Sequence, residues 1–477
     1  MVQEKVSYLK GPVPAVLLLA AVLASFLASS GPVQWMDNGM FLADATKGQY
    51  FAASLGPLDH PLYQFFNTAF YELFGSYALS LLNSILLVPL AAGIFWMVRS
   101  LGGSRNLACL GAAVAILSHA MFWVSTKAEV YIFHAMFVVL AFGVYLDRRH
   151  LVSDLNRLFL IGVLTGLAAS IHQLTFIVLL PLYIQALYEF KFKTLATLPG
   201  FALGFFTAYP GMINDLGNGM SLFEIARHYL TGTSSLAADP GWEGSMLRFD
   251  TMLHEKNSVV LLCLSLIGPQ LLGLALLPKD KRHWMIWWAV VLNFIFAASY
   301  NVNDRFTFFL PGIALASVLG VIRLREWLPH NRFGATLMML SVFSSPLVLL
   351  SAWTVYDKGL VKLPVHAEAL PYRNDIHYFM VPYLKDTSAQ QFVREYESLA
   401  PDGALIIADW TPMGALRSAQ AAGGLRGRSF EMCEQARDIG IFLKGPGAFL
   451  PRTSYCDNIR DKYRLDKTLV GYQLQYK

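Results

Sequence analysis

Five short segments carry residue types able to move a proton or hold a phosphate. The stretch from Pro32 to Gly75 holds Asp37, within Trp35-Met36-Asp37-Asn38-Gly39, and His60, within Leu58-Asp59-His60-Pro61-Leu62-Tyr63. Lys127, Glu129 and Tyr131 sit together in one short segment, and His172 lies in Ser170-Ile171-His172-Gln173. Arg227 and His228 are adjacent, as are Asp304 and Arg305. A carboxylate can take a proton from a hydroxyl, while Lys, Arg and protonated His suit a phosphate, Arg through its planar fork. Each residue also has a plain structural reading. Asp37 could cap the helix that follows it, Glu224 and His228 stand four apart on what could be a solvated helix face, and Lys127 with Glu129 could be an ion pair. His119 and His134 read as packed core histidines. No HExxH, CxxC pair or Walker loop is present. A divalent metal at Asp37 is compatible with these residues, but no ligand spacing signals one.

What must position these groups is a membrane scaffold. The 477 residues are 55% hydrophobic, 13% aromatic and only 14% charged, where soluble domains carry about 25% charged residues. That balance excludes a soluble enzyme, a disordered polymer, a disulfide scaffold and a nucleic-acid binder working through basic patches. The net charge of +5 is too small to name a partner. A helix needs roughly 20 apolar residues to cross a bilayer. About eleven such stretches are legible, near 12–31, 76–98, 106–124, 129–146, 158–172, 174–190, 195–213, 257–277, 283–300, 306–322 and 334–355. The first reads as an uncleaved helix instead of a signal peptide, because the polar loop after it has to be tethered.

Lys and Arg in short loops mark the cytoplasmic side. With the N-terminus inside, 15 of the 37 basic residues fall in inner segments, 6 in outer loops and 16 in a tail after Tyr356. Acids run the other way: of 18 before Tyr356, 12 are on the outer side, including Asp37, Asp44, Asp59, Glu129 and Asp304. Residues 1–356 therefore read as an all-α, multi-pass integral membrane domain with a first outer loop at 32–75. Residues 357–477 read as a small extracytoplasmic α/β domain. In that tail Ala404–Ala408 is an apolar run after the turn signal Pro401-Asp402-Gly403, and Met413–Ala422 follows as a helix closed by Gly423-Gly424. Cys433 and Cys456 are the two tail cysteines, either a disulfide in an oxidising outer compartment or two buried thiols. Within the first loop Tyr63, Phe66, Phe70 and Leu73 make one apolar stripe, suited to a helix lying in the outer interface.

Taken together, these segments resemble the GT-C superfamily of integral-membrane glycosyltransferases, and within it the O-mannosyltransferase-like family. That family's first-loop pattern D-S-G-E, then L-G, then H-P-P-G-Y-P-L-Y is matched by Asp37, Gly39, Leu55, Gly56, His60, Pro61, Leu62 and Tyr63, with Met40 in place of the acid. Its A-E-V-Y is matched by Ala128, Glu129, Val130 and Tyr131, its N-H-x-T by His172 and Thr175, and its Y-x-x-x-D…L-P by Tyr300, Asp304, Leu310 and Pro311. The likeness covers about the first 320 residues.

The resemblance implies a polyprenyl-phosphate sugar donor entering from the bilayer and a protein, lipid or glycan acceptor arriving from outside, in a bacterial inner or plasma membrane. It implies Asp37 as the catalytic base and inversion at the sugar carbon. His60, Lys127, Glu129, Tyr131, His172, Arg227, His228, Asp304 and Arg305 are the substrate-binding candidates, with the leaving phosphate assigned to Lys127, Arg227, His228 or Arg305. The competing class is a multi-span transporter or lipid-linked glycan flippase. Transporters usually carry two related halves with polar groups at the midplane, and neither feature is legible here.

Overall fold

The computed structural model describes residues 11–147, 153–232, 246–251, 256–278, 280–302, 305–363, 367–380, 386–435 and 439–477. Its membrane part is helical: α1 (Val13–Ala28), α2 (Met36–Ala45), α3 (Pro61–Leu79), α4 (Leu82–Ser100), α5 (Arg105–Ile116), α6 (His119–Ser125), α7 (Tyr131–Leu146), α8 (Asp154–Ala169) and α9 (Thr175–Phe190). After these come α10 (Thr197–Gly204), α11 (Tyr209–Gly217), α12 (Leu222–Thr231), α13 (Lys256–Leu266), α14 (Pro269–Ala275), α15 (Lys281–Ser299), α16 (Leu310–Trp327), α17 (Arg332–Leu340) and α18 (Ser344–Asp357).

A helix that is apolar all round belongs in the middle of a bundle, and α16 is that helix, with Ile313, Ala314, Leu315 and Val318 fully buried against α4, α5 and α7. The outer helices carry one-sided apolar stripes with no protein over them, Val16, Leu19 and Leu23 on α1 and Ile184 and Leu187 on α9. Bands of that kind suit lipid contact. Where helices must approach closely, small residues let them. Gly162 and Gly166 of α8 lie against Thr197 and Phe201, and Gly200 and Gly204 of α10 against Phe159 and Val163, so the two helices run side by side in one direction through paired GxxxG faces. Polar side chains tie other helices: Ser25 of α1 bonds Ser84 of α4 at 2.9 Å and Ser125 of α6 at 2.7 Å.

The expected eleven spans are not reproduced. Among the described residues four helical segments are long and apolar enough to cross a membrane, Leu82–Ser100, Thr175–Gly204, Arg305–Trp327 and Arg332–Asp357, and α5 with α6, bent by 73°, makes a fifth. The other apolar stretches are helical but shorter, or interrupted. Gly268, at φ +122°, separates α13 from α14, while Lys191, at φ +50°, ends α9 inside the Thr175–Gly204 segment, where the sequence reading also ends a stretch. Hydropathy counts apolar residues and is blind to such breaks in the helix axis.

The tail contains α19 (Asp375–Met380), α20 (Ser388–Leu399) and α21 (Trp410–Ala421), with five strands, β1 (Leu405–Ala408), β2 (Ser429–Met432), β3 (Ala448–Leu450), β4 (Arg464–Thr468) and β5 (Gly471–Gln475). The sheet order is β2-β1-β3-β5-β4, parallel across β2, β1 and β3 and antiparallel across β3, β5 and β4. Strand β1 is buried on both faces, as a central parallel strand should be. Leu405 and Ile407 join a small core with Cys433, Leu450 and Cys456, while Ile406 and Ala408 face the other way, into the core that continues through α20 and α21 to the membrane helices. Cys433 and Cys456 are joined as a disulfide, Cα atoms 5.2 Å apart.

Candidate active site

Asp37 lies in the first turn of α2, directly after the segment that follows α1. The loop beneath it is held from several sides. Gln34 Oε1 accepts the Ala128 N–H at 3.0 Å, Thr126 O accepts the Ser30 N–H at 2.8 Å, and Asn83 Nδ2 donates to the carbonyls of Lys127 (2.7 Å) and Glu129 (2.6 Å). Asn38, next to Asp37, donates to Ala128 O at 2.9 Å and to Glu129 Oε1 at 3.3 Å. Four residues from 126 to 129 thus hang on amides of three other segments, and that is what fixes the Glu129 carboxylate.

The second half of the first loop is pinned to the corner between α8 and α9. His60 Nδ1 donates to Ile171 O at 2.6 Å, and the Leu62 N–H to Ser170 O at 3.0 Å. His60 caps α3 in the left-handed region, φ +46° and ψ +56°, and Met36 at the start of α2 has φ +54°. Left-handed non-glycine residues cost of order 1–3 kcal/mol each and gather at functional sites. His172 stacks on His60, ring centroids 5.7 Å apart, and meets Phe308 edge-on at 5.2 Å. Its Nδ1 accepts the Leu174 N–H at 3.1 Å, so the neutral ring carries its proton on Nε2. The two histidines therefore hold opposite tautomers. Burial keeps both neutral, His60 at about 4 and His172 well below its ordinary value.

These segments enclose a cleft with ≈ 810 Å³ of space open to solvent. Asp37, Asp44, His60, Glu129, Tyr131 and His172 line it, with Met40, Phe41, Gln173, Tyr300, Phe308 and Trp410 among the other wall residues. Burial raises the Asp37 carboxyl above the usual range, and a hydrogen bond from the Trp410 indole N–H to Oδ1 pulls it partly back. A half-buried carboxyl held this way can take a hydroxyl proton when ionised.

Five of the sequence candidates, Asp37, His60, Glu129, Tyr131 and His172, are thus brought to one wall. Four are placed elsewhere. Lys127 is buried in an aromatic cage, its Nζ 4.4 Å from the Trp123 ring and 5.3 Å from that of Tyr378, and burial lowers its pKa to about 8. Arg227 and His228 are on α12, where His228 Nε2 adjoins Gly56 and Asp59 at the rim of the first loop. Arg305 is buried and donates to Ala298 O at 3.1 Å. Asp304 lies outside the described residues. Among the described residues no group of three or more His, Cys, Asp or Glu is arranged to hold a metal ion.

Sequence reading missed Trp410, Asn38 and Tyr378, and gave Tyr300, which it had matched to a family motif, no role at the site. Trp410 did carry a signal, since it follows the C-terminal end of the parallel strand β1, where sites on such sheets gather. Tyr378 of α19 donates to Asn38 Oδ1 at 3.0 Å, Trp35 Nε1 donates to Ser388 Oγ at 2.8 Å, and the Gln34 N–H to Ser418 Oγ at 3.2 Å. The tail is docked on the loop that carries Asp37.

No family model and no curated protein matches this sequence. Solved structures do match in three dimensions. One is ArnT from Cupriavidus metallidurans bound to undecaprenyl phosphate, with a TM-score of 0.58 at 12% identity over 98% of this chain and 98% of that one. The apo state of the same protein gives 0.59 at 11% identity over 96% and 97%. The oligosaccharyltransferase of Archaeoglobus fulgidus reaches 0.49 at 12% identity, over 86% of this chain and 64% of that one. The likeness to ArnT covers nearly the whole of both chains, membrane helices and C-terminal sheet alike, and the chain therefore shares the fold of those structures.

Proposed function

We propose that this chain is an inverting glycosyltransferase that moves a sugar from a polyprenyl-phosphate donor to an acceptor hydroxyl at the outer membrane face. The observation that carries the reading is the convergence of Asp37, His60, Glu129, Tyr131 and His172, from four separate segments, on one open cleft. The match over nearly the whole chain to a fold solved with undecaprenyl phosphate supports the donor class. In this reading Asp37 takes the acceptor proton as the acceptor oxygen bonds the anomeric carbon. The bond from that carbon to the phosphate oxygen breaks, and its electron pair leaves with the phosphate. One base and no paired nucleophile imply a single displacement with inversion. Neutral His172, with Nε2–H as a donor, is suited to the growing charge on the phosphate.

Mannose is the first sugar to test, on the strength of the O-mannosyltransferase-like motifs. The same reading puts the N-terminus in the cytoplasm and residues 357–477 outside. No observation favours a transporter or flippase. The test is sugar transfer or donor hydrolysis by purified protein from a panel of radiolabelled polyprenyl-phosphate sugars, wild type beside Asp37→Asn. Turnover of one donor, lost in the variant with donor binding retained, supports the class and the base. Absence of turnover and of binding for every donor overturns the class.

A further inference from the structure

The tail contributes a side chain to the cleft, and a chain of contacts explains its placement. The hydrogen bond on Asp37 Oδ1 comes from Trp410 Nε1, 373 positions away in sequence. Trp410 is the first residue of α21, whose N-cap is Asp409: Oδ1 of Asp409 accepts the Thr411 N–H at 3.0 Å. Asp409 is in turn gripped by Arg452 through two parallel bonds of 2.7 Å, with both side chains buried. On the other side of the contact, Gly39 and Gly414 bring the backbones of α2 and α21 together. The indole itself stays 44% exposed and forms part of the cleft wall.

We propose that Trp410 is a positioning residue for Asp37, holding one carboxylate oxygen so that the other faces the acceptor hydroxyl, and that the C-terminal unit is thereby part of the active site. The inference rests on the reading of Asp37 as the base. With Oδ1 engaged by the indole N–H, Oδ2 receives the acceptor proton, and the indole keeps its own hydrogen throughout. Without that bond the carboxylate can rotate, and its ionised form loses a charge-assisted donor. Asp44, His60, Glu129 and His172 line the same cleft as Asp37, and Arg373 lies behind α2 on Met36 Sδ. None of these replaces the indole as a donor on Oδ1.

The test compares kcat and KM for the donor across pH in wild type, Trp410→Phe, Trp410→His and Asp37→Asn. Trp410→Phe keeps apolar bulk without the N–H, and Trp410→His restores a donor. The expected result is a kcat lower by about tenfold near neutral pH in Trp410→Phe, with the acid limb of its profile moved to higher pH. Donor KM should stay within about twofold, and Trp410→His should fall between the two. A Trp410→Phe profile that overlays wild type overturns the proposal, as does an equal loss at every pH with a raised donor KM. If Trp410→Phe does not fold, Trp410→Leu, which likewise lacks the N–H, takes its place, and an acid limb unmoved from wild type counts against the role. Turnover surviving in Asp37→Asn removes the base itself, an outcome distinct from a silent Trp410 substitution beside a dead Asp37→Asn.

Discussion

Gly39 and Gly414 meet backbone to backbone across the contact between α2 and α21. A Cβ on Gly39 would sit 2.3 Å from the carbonyl oxygen of Gly414, and one on Gly414 would sit 2.1 Å from that of Met36. Both obstacles are backbone atoms that cannot swing aside, so an added methyl must push the helices apart. Overpacking of this kind costs about 1–3 kcal/mol. Gly39→Ala and Gly414→Ala are expected to lower sugar transfer at least tenfold, roughly the effect of that penalty if it falls on the site. Transfer rates beside donor affinity for the two variants would show it, and unchanged transfer would mean that the contact is not needed at the site.

Asp37→Asn removes the proposed base while keeping the shape and an acceptor oxygen for Trp410. Loss of a general base typically costs about 10²–10⁴ in rate. The expected outcome is that loss in kcat with donor affinity unchanged, read by turnover and equilibrium binding.

The pH dependence has a defined sign. Burial raises the Asp37 carboxyl, and only the ionised form accepts a proton, so transfer should fall on acidification through a limb above the ordinary carboxylate value of about 3.9. A carboxyl whose folded-state pKa is raised favours the fold when protonated, and that support is lost as pH rises through the folded value. Asp37→Asn should therefore melt higher than wild type at neutral pH, with the gap closing in acid. Thermal melts of both proteins at several pH values check it.

Arg452 and Asp409 form a buried pair with side chains 2% and 6% exposed. Removing one partner strands the other charge, at a cost of about 3–5 kcal/mol. Asp409→Ala should destabilise the C-terminal unit by that order, seen as a lower melting temperature, whereas cutting an exposed pair such as Lys47 with Asp44 should change little.

Cys433 and Cys456 close a loop across 23 positions, and bridges of this type contribute about 2–4 kcal/mol. The double Ser variant should unfold at lower temperature, and a free-thiol assay on denatured wild type should find two reactive cysteines, Cys109 and Cys263. Four reactive thiols would remove the bridge.

Much of this molecule is local in its physics, and that part was legible in the amino-acid order. Apolar runs long enough to be helices, the tail with its strand and helix at 405–421, and the polar segments at 37, 60, 129, 131 and 172 depend only on neighbouring residues. The count of eleven membrane-crossing helices is not confirmed, because Gly268 and the bend between α5 and α6 interrupt helices whose hydropathy runs on unbroken. The sorting of the cations was not legible. Lys127 looks available in a short loop, yet an aromatic cage formed with Tyr378, 251 positions later, takes its charge away from the cleft. Trp410 became a partner of Asp37 only through the crossing of two helices at two glycines. Sequence dictates which side chains can do chemistry and which segments bury themselves. Which of those side chains meet is set by how the helices and the C-terminal unit pack, since a contact across hundreds of residues leaves no periodic trace along the chain.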